Sequence, residues 1–292
     1  MPEKAKFWFA KAKAEKFALG SFNVSSVETL KAVVGAAKKL ASPVMVEASD
    51  GEATYFGIKE LVAMVAALED DFKIPIILNL DHGQNLDICR QALVAGFDYV
   101  HLDGSKLPLE ENIAQAKTLV KEAHKMGVLV EGEIDNINVL GAGSADFRDR
   151  PANANRSEKV YTDPEKAAAF VNETGVDTFA SFVGNVHGLY AGPKNIDLDL
   201  LQRISDVLPD KYLSLHGGSG IPDEEVKAAI DLGVVKVNVN SELRVAFRDT
   251  LKNTLETTKD VATYDIMPEA IAEMQKIVES KILMFGSNNK LT

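Results

Sequence analysis

One unit recurs along this chain: a short apolar run, a polar turn, and then a stretch with apolar residues at helical spacing. Eight such runs can be read, at 17–24, 43–49, 73–82, 99–105, 128–134, 178–182, 212–216 and 235–240. Strands that alternate with helices build parallel sheets. Eight units in 292 residues therefore predict an α/β chain folded as one TIM (β/α)8 barrel domain over residues 1–292. An extra helix at 2–16 and C-terminal helices at 246–255 and 268–283 complete the expectation. Capping boxes are expected from Ser25 with Glu28 and from Thr162 with Glu165. The alternative is a doubly wound open sheet. It would more often show a Gly-rich turn after its first strand, and here that turn reads Ser25-Ser26-Val27-Glu28.

Side chains alternate across a strand, so one parity of each strand faces the barrel interior. The polar residues keep to one parity: Asn79 and Asp81, His101 and Asp103, Glu131 and Glu133, Ser214 and His216, Lys236 with Asn238 and Asn240. The other parity reads Leu78 and Leu80, Leu102, Val130, Leu213 and Leu215, then Val235, Val237 and Val239, which suits packing against outer helices. Buried charges need partners or a metal. A self-satisfied polar core is one reading. The other is an active site, because the polar groups crowd toward C-terminal strand ends, where barrel enzymes keep theirs.

Three of the five histidines, His82, His187 and His216, follow apolar runs and each precedes a glycine. Three imidazoles with an open position can hold a catalytic zinc. His101 reads as interior packing or as support to the metal ligands, and His124 as a helix C-terminal or surface residue. Asp81, beside His82, has the place of a general acid/base. Gly217-Gly218-Ser219-Gly220 offers main-chain N–H groups to an anion, and 238–241 leads into a helix N-terminus, which does the same. Both follow late strands, the usual place for phosphate in a barrel.

A net charge of -11 argues against nucleic acid as a partner. One cysteine, Cys89, excludes a disulfide framework and reads as a small buried residue. No membrane or targeting segment is visible, so the expectation is a cytoplasmic protein. The stretch 135–160 is polar and Gly-rich, as a mobile lid over a site would be.

Leu80-Asp81-His82-Gly83, Asp103-Gly104-Ser105, Val130-Glu131-Gly132-Glu133, Tyr161-Thr162-Asp163-Pro164, 184–190 (GNVHGLY), 216–220 (HGGSG) and Lys236-Val237-Asn238-Val239 together resemble the class II ketose-bisphosphate aldolases, in order, from Phe22 to Arg244. The resemblance implies zinc-dependent, reversible cleavage of fructose 1,6-bisphosphate to glycerone phosphate and glyceraldehyde 3-phosphate, in glycolysis or gluconeogenesis. The tagatose bisphosphate is the alternative. It implies zinc on His82, His187 and His216, with Asp103 and Glu133 near a second or alternate metal position. Asp81 would exchange a proton with the C4 hydroxyl. Asn23, Ser49, Gly188, Gly217, Ser219, Asn238, Asn240 and Ser241 would hold phosphate or sugar hydroxyls. A monovalent cation (Na+ or K+) often assists phosphate binding in the family, whose members are usually dimeric or larger, so a homodimer or homotetramer is expected.

Three departures stand out. No glutamate follows Glu133 until Glu158, whereas the family carries a loop acid there that moves the glycerone phosphate proton. Asp146, after a flexible Gly143-Ser144-Ala145 lead, is the expected substitute. Asn240 stands where many members have Asp, and Ala191 where many have Lys, with Lys194 nearby. Competing readings are a zinc barrel hydrolase and a non-catalytic sugar-phosphate binder. The phosphate turns argue against the first and Asp81 against the second. A Schiff-base aldolase is disfavoured because 178–182 lacks a lysine.

Overall fold

Eight parallel strands close on themselves in chain order: β1 (Leu19–Asn23), β2 (Val44–Ser49), β3 (Ile76–Gly83), β4 (Tyr99–Leu102), β5 (Leu129–Gly132), β6 (Thr178–Ala180), β7 (Tyr212–Leu215) and β8 (Val234–Val239), with β8 paired back to β1. The computed structural model of the protein describes residues 3–135, 148, 161–190, 192 and 194–291. The expected TIM barrel is thus present, and the open sheet is excluded by the β8–β1 pairing. The extra helices are α1 (Lys4–Glu15) before the barrel and α11 (Thr263–Ile266) and α12 (Pro268–Phe285) after it. Those that follow β1 to β8 are α2 (Val27–Lys39), α3 (Asp50–Phe56), α4 (Ile58–Phe72), α5 (Leu86–Ala95), α6 (Leu109–His124), α7 (Pro164–Thr174), α8 (Leu198–Val207), α9 (Asp223–Asp231) and α10 (Ser241–Thr257). No helix among the described residues is long and apolar enough to cross a membrane.

Local signals differ from expectation in two caps and one helix. The α2 cap is Ser26, not Ser25, and its box is closed by the Thr29 hydroxyl in place of a Glu28 carboxylate. The α7 cap is Asp163, which accepts from Glu165 N and Lys166 N, while Thr162 donates instead to Asp135. The sequence pattern missed α3, which starts directly at the end of β2. Ser49 caps it and Glu52 returns the bond to Ser49 N, a full capping box within the strand–helix junction.

The strand parity sorts the interior into layers. The outward faces of Leu78, Leu80, Leu102, Val130, Leu213, Leu215, Val237 and Val239 join one core with the helices. Inside the barrel, Leu19, Met45, Ile77, Tyr99, Leu129 and Val235 form an apolar floor, plugged from below by Phe9 and Trp8 of α1. Val235 was expected outside. The register between β7 and β8 shifts between Leu213 and Ser214, and this irregularity turns Val235 inward. Above the floor lies a fully buried polar layer. Glu131 accepts from Lys236 Nζ (2.7 Å), Tyr99 Oη (2.8 Å) and the Ser214 hydroxyl, while Glu47 accepts from Ser21 and Asn79. Each charge there has partners, as burial demands.

Candidate active site

The top interior layer is where the strand ends deliver their polar parity. Asp81 and His82 are neighbours in sequence, so a regular strand would point them to opposite faces. The β3–β4 register shifts between Leu80 and Gly83, and His82 adopts a left-handed backbone at φ 49°. That bulge lets both side chains line one cavity. A non-glycine residue is costly in that conformation, and such strain is characteristic of functional positions. Gly83 has to be glycine here, since a Cβ would stand 2.7 Å from Cys89 Sγ and 3.0 Å from the His101 carbonyl.

Four imidazoles meet above the polar layer. His82 Nε2 lies 3.1 Å from His216 Nδ1, and the His82 ring centroid is 4.7 Å from His101 and 5.1 Å from His187. His216 Nε2 is 2.7 Å from Glu131 Oε1, so the polar layer orients it. His82 Nδ1 lies 2.9 Å from Asp103 and 3.8 Å from Glu133. Asp81 accepts from Asn23 Nδ2 (3.2 Å) and Asn238 Nδ2 (3.1 Å), which fix the carboxylate from two sides. Two sets of donor atoms lie within 4.8 Å of one another: Asp81, His82, His101 and His216, and His82, Asp103 and Glu133. Buried His101 Nε2 and Glu133 Oε2 have no hydrogen-bond partner. Mixed nitrogen and oxygen donors, with orphaned atoms among them, suit a divalent cation such as zinc. His187 reaches the rings of His82 and His216 from the loop after β6, but it is not part of either compact set.

The electrostatics are those of charges packed together. Burial raises Asp81, but His82, His101, His216 and Lys236 together hold it well below the usual carboxylate range. Burial works against the His82 cation too, yet Asp81, Asp103 and Glu131 lift it to about 9. Burial pushes His216 down to about 4 against the pull of Glu131. Burial and the adjacent Asp103 carboxylate push Glu133 well up.

A cavity of about 160 Å³ opens beside this cluster. It is lined by Asn23, Ser49, Asp81, His82, His187, Gly188, Gly217, Ser219, Asn238, Asn240, Ser241 and Arg244. All of these except Arg244 are site residues that the sequence analysis expected. Asp103, Glu133 and His216 are buried beside it. The side of Gly188, Gly217, Ser219 and Ser241 is rich in main-chain groups. Gly217, at φ 62°, approaches so closely that a Cβ would sit 2.5 Å from the Val186 carbonyl. Ser241 opens the 17-residue α10, whose cap Asn240 gives no side-chain bond to the helix N–H groups. Glu242 N of that first turn donates instead to the Ser219 hydroxyl (3.4 Å), and a helix N-terminus at this place favours an anion.

Asp146 lies outside the described residues, as does Ala191. Asp135 is described and spends its carboxylate on Thr162 (2.6 Å). His124 binds Asp177 (2.9 Å), and Cys89 is buried. The sequence reading understated three residues. His101 accepts from His82 N (3.2 Å) within the donor cluster. Glu52 binds Asn23 (2.8 Å), Ser49 (2.9 Å) and Arg244 (2.5 Å), so it braces the cavity wall. Its only sequence signal was a capping glutamate. Lys194 reaches under the late loops, and nothing in its local sequence indicates that.

The comparisons agree with this geometry. Proteins named 6-phospho-5-dehydro-2-deoxy-D-gluconate aldolase are 37% identical to the chain. The one from Shouchella clausii matches over 285 residues, 96% of this chain and 93% of that protein. The one from Bacillus subtilis matches over 283 residues, 96% and 93% respectively. The crystal structure of the YdjI aldolase from Escherichia coli K12 superposes with a TM-score of 0.83 at 28% identity, over 99% of this chain and 98% of that one. The family model described as fructose-bisphosphate aldolase class-II matches residues 3–290. A closed barrel, a buried histidine and carboxylate cluster at its C-terminal mouth, and a family match over nearly the whole length have one reading: the chain belongs to the class II fructose-bisphosphate aldolase family.

Proposed function

We propose that the chain is a zinc-dependent aldolase that releases glycerone phosphate from a phosphorylated keto sugar. One observation carries this reading: a single cavity joins a metal-type donor cluster, the fixed carboxylate Asp81 and a main-chain anion pocket. Gly188, Gly217, Ser219 and the α10 N-terminus hold the phosphate next to the ketone. Asn23 and Asn238 aim Asp81 at the hydroxyl two carbons from that ketone. Asp81, held ionised, takes the hydroxyl proton. The O–H electrons become the aldehyde C=O, the C–C bond breaks, and its electron pair passes to the carbon beside the ketone. His82, His216 and His187, with His101, Asp103 and Glu133 adjacent, would hold the metal, which when bound would supply Lewis-acid polarisation of the ketone oxygen. A protonated acid then returns a proton to the new carbon. We assign this to Asp146, on chemical need alone.

Two substrates share the glycerone phosphate half. Fructose 1,6-bisphosphate leaves glyceraldehyde 3-phosphate. In 6-phospho-5-dehydro-2-deoxy-D-gluconate the ketone at C5 and hydroxyl at C3 place the break between C3 and C4, leaving a three-carbon oxo acid. The 37% identity to aldolases named for the second favours it. Arg244 and Ser49 also line the cavity, where Glu52 already engages the guanidinium and the hydroxyl. The same reading places the enzyme in the cytoplasm as a homodimer or homotetramer. The test is glycerone phosphate release from these two substrates and tagatose 1,6-bisphosphate, before and after chelation. The expected result is release that chelation abolishes and zinc restores, fastest on the keto acid. Release untouched by exhaustive chelation, or none from any of the three with zinc loaded, would overturn the proposal.

A further inference from the structure

Lys194 is 1% exposed, in the loop between β6 and α8. Its ammonium donates to three main-chain carbonyls: Val186 (2.8 Å), Gly188 (3.1 Å) and Gly217 (2.6 Å). Its own N–H donates to the Gly220 carbonyl (3.1 Å). An ammonium has three N–H bonds, and here all three are used on carbonyl oxygens. These carbonyls come from two different loops, after β6 and after β7, and two of them belong to Gly188 and Gly217 of the cavity wall. No ion pair to Lys194 occurs among the described residues, and nearby Glu242 is engaged by Lys281 (2.9 Å) and Gly220 N (3.1 Å). A buried charge with no carboxylate against it is stabilised by an anion nearby.

We propose that Lys194 is the fixed cation of the phosphate pocket: it ties the two loops together and supplies the positive charge that an exchangeable monovalent ion would otherwise bring. A cage of carbonyl oxygens is also the ligand set that holds potassium or sodium. The lysine nitrogen fills that cage, so the native protein has no vacancy there for a metal ion. Burial pushes the group down to about 7, with Glu242 opposing it, and the bound phosphate acts in the same direction as Glu242. Lys194 is thus a positioning residue. The inference rests on the reading that this end of the cavity binds phosphate, and it does not depend on the aldol step.

The experiment is calorimetric titration of inorganic phosphate into the zinc-loaded protein at constant ionic strength, in choline, sodium, potassium or ammonium chloride. Wild-type affinity is expected to be the same in all four. In Lys194→Ala, affinity in choline should fall by about tenfold or more, the scale of one close charge pair in a partly buried site, and potassium or ammonium should restore most of it. In Lys194→Met, which refills the space without charge, the loss should persist in every salt. Wild-type affinity that rises with potassium would overturn the proposal. So would wild-type affinity in both variants, or a loss in Lys194→Ala that no cation repairs, which would mark the lysine as a loop brace only. If Lys194→Ala fails to fold, Lys194→Met and the wild-type salt series still decide. A wild type that binds phosphate yet cleaves no sugar phosphate would sink the aldolase reading alone, and one that binds no phosphate would sink this inference.

Discussion

The two ends of the barrel interior are built from the same strands and the same parity, yet they have opposite chemistry. At the floor, Leu19, Met45, Ile77, Tyr99, Leu129 and Val235 meet Phe9 and Trp8 of α1. Four residues further along β1 to β5, that parity reads Asn23, Ser49, Asp81, Asp103 and Glu133. Between the ends, Lys236 pairs closely with Glu131 and more loosely with Glu47 (3.9 Å), Glu47 Oε1 is left without a partner, and Glu131 holds His216 by one edge. The comparison shows a division of labour along a single axis. The closed end stabilises by exclusion of water, and the open end holds charges that are only partly satisfied without a ligand, as the orphaned His101 Nε2 and Glu133 Oε2 show.

Substitutions at the two ends should therefore separate activity from stability. The largest effect is expected from His216→Ala. It removes a donor of the compact set and should cost metal affinity and about four orders of magnitude in kcat/KM, with a melting temperature near that of the wild-type apoprotein. Elemental analysis with steady-state kinetics reads this, and retained stoichiometric metal would remove His216 from the ligand set. Next is Phe9→Ala at the floor. Loss of a fully buried ring should destabilise by about 3–5 kcal/mol, with kcat and KM of the folded fraction unchanged. Denaturant unfolding alongside kinetics checks it, and a fall in kcat without a fall in stability would break the proposed separation. The smallest is Asp81→Asn, which keeps the shape of the site. It should lower kcat by about a hundredfold, close to 2.7 kcal/mol of barrier, while metal content and unfolding midpoint stay put. Unchanged turnover would take Asp81 out of the proton path.

Much of this was legible because strand parity is a strict period of two. The polar sets Asn79 with Asp81 and Ser214 with His216 could be placed inside a barrel before any coordinates. The exceptions have local causes. Val235 turns inward at an irregularity between β7 and β8, and regular alternation cannot foresee one. The α2 and α7 caps moved by one residue, because Ser26 and Asp163 compete with equally plausible neighbours. Asp81 and His82 both reach the cavity only through the left-handed turn at His82.

Sequence alone determined the class of fold, the polar parity and the identity of the histidines and acids at the strand ends, because these follow from short-range periodicity and residue chemistry. The tertiary structure decided which groups touch. Glu52 became a brace for Asn23, Ser49 and Arg244, and His101 entered the donor cluster beside His82 and His216, with His187 approaching from a later loop. Lys194 met carbonyls from two loops. Such contacts join residues far apart in the chain. Their distances are fixed by barrel closure and strand register, which no local pattern encodes.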